Sequence, residues 1–470
     1  MSSNHPQRDM LQFHYLANAV LLAKAVLGVL ILATGCSQKN SPTEISVPDS
    51  AKTPQVSQIP LRIWIVEPSA NVELVRRQWQ SVSEQPIELE VLSTASFLAR
   101  PSCNCDIVVY PARLLGELVK RAWLTKVRNK PAEPSTAGES AVNVVPVAWL
   151  AQCRYGGDTW ARPLGCSVPI LLGDSRSGLS AQAAVKSWAE LLKRTANENS
   201  QAAQSQPVQV AVDHDALVDR FLTIAGSLSQ RNPKFGILFE MQTMRARIGE
   251  AEFIQAAETL RTMARASRGG VAATGSWNQT WAWLMDDGEK SLSIGLAGQT
   301  EKSTQPTNTI RVAIGPSSMN VLGSEEKSAS NFGWNTGSGL IASLSESCRQ
   351  SSRADQFVEW LATPATRNIL SKAIVGIDPD APVSGPDASD WQVASLKRRL
   401  ANRVGLPMEL RFPGAERYRA ALGQQLARIL ERNAEIADGL KQVAAEWEKL
   451  TDELGRKQQR TQYEHSLGLL

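Results

Sequence analysis

One histidine of this chain sits between two carboxylates, in Asp213-His214-Asp215. That triplet has the residue types for general acid–base work. Its setting is unpromising, because it falls between a strand candidate, Val208 to Val212, and a helical stretch that Asp215 is placed to cap. No Gly-x-Ser-x-Gly, phosphate-binding loop or zinc motif accompanies it, so catalysis is not expected. The chain has four histidines and six cysteines; His214 and His465, the two past residue 36, are not near a cysteine pair. No metal or cofactor is therefore expected. Cys153 and Cys166 are spaced to close a loop by a disulfide, while Cys103 and Cys105 stand too close to favour pairing with each other. Reduced thiols at all five positions past Cys36 are the alternative.

Cys36 has a different kind of chemistry. It ends an uncharged apolar run, AVLGVLILAT at residues 25–34, that follows Lys24. Ten helical residues rise about 15 Å against roughly 30 Å of hydrocarbon, so the run suits a secretory signal better than a span. Leu32-Ala33-Thr34-Gly35-Cys36 is similar to a lipobox, where the small residues admit a peptidase and the thiol takes a lipid. This predicts a signal peptide over 1–35 and lipidation at Cys36. A plain cleaved signal or a short anchor with an incidental cysteine is the alternative. Residues 37–58, rich in Ser, Pro, Thr, Lys and Gln, cannot bury enough apolar surface to order themselves. Residues 36–58 are therefore predicted to be a lipidated flexible tether, and the protein to be exported and membrane-anchored.

About 410 residues remain, enough for two lobes. Net charge is +4 with both signs interspersed. No basic block exists to track phosphates, so nucleic-acid binding is not indicated.

The elements that must position any site follow from periodicity. Leu61 to Val66, Ile87 to Leu92 and Asp106 to Tyr110 read as strands, with helical spacing at Val72, Val75 and Trp79 and again at Leu114, Leu115, Leu118 and Val119. Strand, helix, strand, strand, helix predicts an α/β layer with a largely parallel sheet. Pro163 to Leu172 reads as an extended crossing between lobes. Phe253, Ala256, Ala257, Leu260 and Met263 mark a helix; Ser291 to Leu296 and Ile310 to Ile314 read as strands. Thr363-Pro364 starts a helix, with Thr as cap and Pro in the first turn. Ile436, Leu440, Val443, Trp447, Leu450 and Leu454 lie on one face of a long amphipathic helix of about five turns.

Four segments, in order, resemble the extracellular solute-binding proteins of ABC importers, in the group that includes maltose-binding protein. They are Cys105-Asp106-Ile107-Val108-Val109-Tyr110-Pro111 with its following helix to Leu124, and Trp281 to Gly295 with its Asp-Gly-Glu-Lys turn into an Ile-Gly strand. The third is Asn335-Thr336-Gly337-Ser338-Gly339-Leu340 with Ala354 to Leu370, and the fourth is Ala434 to Gln459, similar to the family's C-terminal helix, with Ala444-Ala445-Glu446-Trp447. The resemblance covers about residues 60–470. It implies an α/β, two-lobed, periplasmic-binding-protein-like fold of type II, with crossing segments and long C-terminal helices. The lobes would be 59–165 with 330–375, and 166–329 with 376–470. It further implies a small polar solute, carbohydrate favoured, bound by cleft closure and passed by a monomer to an ABC permease. A ligand-sensing or surface-interaction lipoprotein without transport is the other reading.

In open α/β sheets the crevice lies beyond the carboxyl ends of the strands. Glu67 and Arg113 stand there and are candidates to pair or hydrogen-bond a ligand; solvated loop charges are the bland alternative. Trp277 and Asn278 offer an indole face and an amide for a sugar, and Trp334 stands where the chain re-enters lobe one. Core packing is the competing role for both tryptophans.

Overall fold

In the computed structural model, the described residues all fall within one unit, residues 58–470. The structure describes residues 59–127, 145–173, 187–189, 192, 212–229, 235–265, 271–277, 279–280, 292–296, 311–313, 334–379, 406–432 and 434–469. The signal, the tether, Cys36, Asn278 and the Trp281–Met285 stretch lie outside them, as does all of the 208–212 strand candidate but Val212.

The chain opens with β1 (Leu61–Ile65), α1 (Val72–Gln80) and β2 (Ile87–Val91). A short α2 (Thr94–Leu98) follows, then β3 (Ile107–Pro111), a 3-10 turn and α3 (Leu115–Lys120). Asn71 caps α1 by accepting from the Leu74 N–H, and the helix buries Val75 and Trp79. α2 was not expected from the sequence. It has five residues and one fully buried anchor, Phe97, whose ring meets Trp64 and Trp123 edge-on, so it shows no periodicity to read.

Next come α4 (Val147–Gln152), the hairpin β4 (Arg154–Tyr155) and β5 (Asp158–Thr159), then β6 (Arg162–Pro163) and β7 (Pro169–Gly173). The following elements are α5 (His214–Leu228), α6 (Ala251–Arg265), α7 (Val271–Thr274), β8 (Leu292–Leu296) and β9 (Arg311–Ala313). β10 (Leu340–Leu344), α8 (Ser351–Ala362) and α9 (Pro364–Leu370) return to the first sheet. α10 (Ala415–Arg432), α11 (Ile436–Glu453) and α12 (Arg456–Leu467) close the chain. The long C-terminal helices implied by the resemblance are present, but the Ala434 to Gln459 segment likened to one helix is two, broken at Gly455.

The first sheet has the order β2-β1-β3-β10-β6. β1 pairs parallel with β2 and β3, whereas β10 runs antiparallel to both β3 and β6. The largely parallel sheet expected from the sequence is therefore mixed. The antiparallel partners come from Arg162–Pro163 and from beyond residue 339, outside the stretch that set the expectation. Side-chain alternation divides two cores. Leu61, Ile63, Ile65, Ile107 and Val109 face Val75, Trp79, Phe357 and Leu361; Trp64, Val66, Val108 and Tyr110 face Phe97, Leu115 and Leu118.

A second, antiparallel sheet has the order β8-β7-β9. Its core joins β7 and β8 to α5, α6, α10 and α11. Inside it Phe239 stacks on Trp447 at 5.1 Å and meets Tyr418, Phe412 and Tyr463 edge-on, drawing the last three helices onto one ring cluster.

Candidate functional site

Backbone strands cross side by side between these cores. The Thr336 N–H donates to Ser167 O at 3.0 Å and the Asn335 N–H to Pro407 O at 2.9 Å; the Leu340 N–H reaches Gly376 O at 2.8 Å. They approach so closely that a Cβ on Gly165 would lie 2.1 Å from Gly376 O, which leaves room only for glycine. The Asp378 carboxylate accepts from the Cys166 N–H at 2.6 Å, and Gln152 donates to Gly165 O.

Arg113 lies against this crossing. β1 and β3 are neighbouring parallel strands, so Glu67 and Arg113 follow strand ends on the same edge of the sheet. The Arg113 backbone N–H donates to Gly337 O at 2.9 Å. Its guanidinium leaves the first sheet's core and meets helices of the other. Nε donates to Glu416 Oε1 at 2.9 Å, Nη2 lies 3.6 Å from Asp215 Oδ2, and Nη1 donates to Ser338 Oγ at 3.4 Å. Ser338 in turn donates to Asp219 at 3.4 Å, and Arg419 donates to Asp219 at 2.8 Å and to Asp215 at 3.4 Å. Burial alone would lower the Arg113 pKa, but Glu416 and Asp215 outweigh it and hold the charge more firmly. Burial raises the Asp219 carboxyl to about 6 against the pull of Arg419. Two cations thus face three carboxylates, and Asp215 remains 59% exposed.

The sequence pointed to Arg113 but missed Asp215 as its partner, and missed Asp219, Ser338, Glu416 and Arg419. Asp213, not Asp215, caps α5, accepting from the Ala216 N–H at 2.9 Å, which frees Asp215 for the arginines. Spacing carried a signal: Asp215 and Asp219 are four apart and Glu416 and Arg419 three apart, each pair on one helix face. That the two faces oppose each other is set by the fold.

The other candidates separate from this cluster. Glu67 turns back on its own loop, accepting from the Ser69 hydroxyl at 2.6 Å and the Ser69 N–H at 3.1 Å. Trp334 is 1% exposed and packs in the second core, so the structure assigns it to packing rather than to an open wall; a Trp beside Asn335 in the crossing reads the same either way. Trp277 is half-buried, with the Arg220 guanidinium 4.4 Å from its ring centroid. Arg220 is fully buried and was not flagged by the sequence. It donates to Ile294 O at 3.0 Å, Ala273 O at 3.1 Å, Gly275 O at 2.6 Å and Thr280 Oγ1 at 2.6 Å. Burial lowers it to about 10, still charged at neutral pH. It ties β8 to the turn that carries Trp277 and takes one face of the indole.

The five described cysteines are all reduced. Of the two readings of the spacing, a Cys153–Cys166 bridge or reduced thiols, the structure has the second; the Cys153 thiol donates to Trp149 O at 3.3 Å. Among the described residues no group of three or more His, Cys, Asp or Glu is gathered to hold a metal, and no helix is long and apolar enough to cross a membrane.

No protein-family model matches the chain, and no curated protein matches it in sequence. Solved structures do match in shape. The sugar-binding protein MalE of Xanthomonas citri is 14% identical with a TM-score of 0.58, covering 84% of this chain and 98% of that one. A solute-binding protein of an ABC transporter from Agrobacterium radiobacter, in complex with ribitol, is 13% identical with a TM-score of 0.60, covering 84% and 99%. The GacH receptor of Streptomyces glaucescens, solved unliganded and with acarbose, is 12% identical with a TM-score of 0.57, covering 84% and 99%. At such identities the likeness is one of fold, and it extends over nearly the whole of each of those chains. This chain has the two-lobed α/β fold of the MalE-like solute-binding proteins.

Proposed function

We propose that this protein is an extracytoplasmic receptor for a small polar solute, a sugar or polyol, which it encloses between two lobes and presents as a monomer to an ABC importer. The lobes are residues 59–165 with 330–375, and 166–329 with 376–470. The observation that carries the reading is the junction, where separate cores meet through crossing backbone and strand-end residues converge. Such a junction is built for hinge closure. Asp215 keeps acceptor capacity for hydroxyl donors, since a carboxylate offers about four lone-pair sites. Trp277 offers an apolar ring beside a fixed cation, and Asn278 and Glu67 supply further polar groups on the same reading. A sugar-binding neighbour and a ribitol-bound neighbour of the same fold support this solute class.

The test is a thermal-shift screen of residues 37–470 against sugars, polyols, amino acids and polyamines. A sugar or polyol is expected to raise the melting temperature. At a concentration about 100 times Kd the gain is about 2.7 kcal/mol. A folded protein that none of them stabilises would sink the reading.

The tether is part of the same proposal. The lipobox-like Cys36 would carry a lipid holding the receptor at a membrane while residues 37–58 let it move. Cys36→Ser is expected to leave the exported protein in the soluble fraction; unchanged membrane association would refute the anchor.

A further inference from the structure

Cys103 and Cys105 lie in the segment just before β3, with their sulfurs 3.5 Å apart. Their spacing of two in sequence argued against a mutual bridge, yet the chain folds both side chains to the same side. Pro101 and Asn104 are exposed on either side of Cys103, while Cys103 and Cys105 are 5% and 0% exposed. The segment therefore runs along the surface with both thiols turned inward. Its backbone is held from outside the pair: Ser345 donates to Cys103 O at 3.3 Å, and Ser347 donates to Cys103 O and to Cys105 O, the latter at 3.1 Å. Asp106, next in sequence, accepts from the Arg62 N–H at 2.8 Å and the Arg349 N–H at 2.9 Å. Both ends of the dithiol are thus fixed, and only the sulfurs need to approach.

We propose that Cys103 and Cys105 are a reversible dithiol–disulfide pair, oxidised by exchange with an external disulfide. Residues two apart span at most about 6.6–7.2 Å when fully extended, and the chain bends at Cys105–Asp106, which shortens that span toward the 4.4–6.8 Å range of protein disulfides. The two thiols are not equivalent. The hydrogen bond between them lowers the Cys103 pKa and raises that of Cys105, so Cys103 is the first of the two to form a thiolate and is the nucleophile. The Cys103 thiolate attacks one sulfur of the oxidant, RSSR, and expels RS⁻, leaving a mixed disulfide. Cys105 gives up its proton, which that RS⁻ takes, and attacks the Cys103 sulfur, expelling a second RS⁻. Two protein thiols are oxidised and one disulfide is reduced to two thiols, the Cys103 proton having already been released to solvent to protonate the second. A loop this short gains little chain-entropy stabilisation from closure. The pair is therefore a modification site that responds to its surroundings rather than a staple the fold needs. An oxidising surrounding in the cell rests on the export reading above; the chemistry of the pair does not.

Purified full-length protein is exposed in its native state to oxidised glutathione, quenched in acid, denatured and alkylated, and its peptides are weighed. The expected result is that Cys103 and Cys105 alone lose reactivity and that their shared peptide weighs two hydrogens less than the dithiol. Dithiothreitol is expected to restore both, and Cys105→Ser to hold a glutathione adduct on Cys103. Alkylation of both residues unchanged by the oxidant overturns the proposal, as does a bridge from either one to Cys348. Separate cell fractionation scores export, so either idea can fail alone.

Discussion

Asp219 concentrates the cost of the charged junction in one side chain. It is 1% exposed, paired with Arg419 at 2.8 Å, and its carboxyl is raised to about 6 by burial. A carboxyl raised above its unfolded value of about 4 adds stability in full below pH 4, and that contribution is lost as pH rises through about 6. Urea unfolding should show the wild type losing about 2–3 kcal/mol between pH 4 and 7 from this group, a slope that Asp219→Asn removes. An identical pH slope in the variant would show that Asp219 is not the source. Arg220 shows the opposite economy, with carbonyl and hydroxyl oxygens rather than a carboxylate satisfying its donors. Neither role is visible locally in the sequence. Both residues sit in an apolar helical stretch, and their partners lie tens to hundreds of residues away.

At the scale of elements, α12 is held by chemistry as much as by packing. Its Tyr463 donates to the buried Glu409, which also accepts the N–H groups of Ile237 at 2.6 Å and Leu238 at 3.0 Å. Gly236 makes this approach possible: its φ is +77°, and a Cβ there would sit 2.1 Å from Tyr463 Oη. Gly236→Ala is expected to cost about 2–4 kcal/mol in urea unfolding and to expose the α12 backbone to hydrogen exchange. Unchanged exchange in α12 would show that the contact does not dock the helix. The elements most legible in advance were those with a local signature. The 3.6-residue stripe of α11 buries Ile436, Leu440, Val443, Trp447 and Leu450 as its spacing requires. Thr363 caps α9, with Pro364 in its first turn. α2 has one apolar anchor, and β6 is two residues long, so neither had a pattern to betray it. The break at Gly455 was missed because the apolar stripe runs unbroken to Leu454, one residue before it.

At the scale of the whole molecule, Arg113 is the cross-piece between the first sheet and the helices of the other core. Arg113→Ala should leave each core's packing intact while removing the tie to Glu416 and Asp215. Both partners are partly exposed, so the loss is expected to be about 1–3 kcal/mol. Small-angle scattering of the solute-free protein should then show a larger radius of gyration, from looser lobes. An unchanged radius would mean that the crossing backbone alone sets their separation. The strand order has a further consequence, for timing. β10 is the antiparallel partner of β3, and the Tyr110–Ser343 hydrogen bond joins residues 233 apart. During synthesis the first three strands must wait for β10 with one flank unpaired. Such long-range pairing is intrinsically slow. A chain that cannot close its first sheet until most of it has been made stays threadable for longer, and on the export reading proposed above that is the state a translocation pore would require of it.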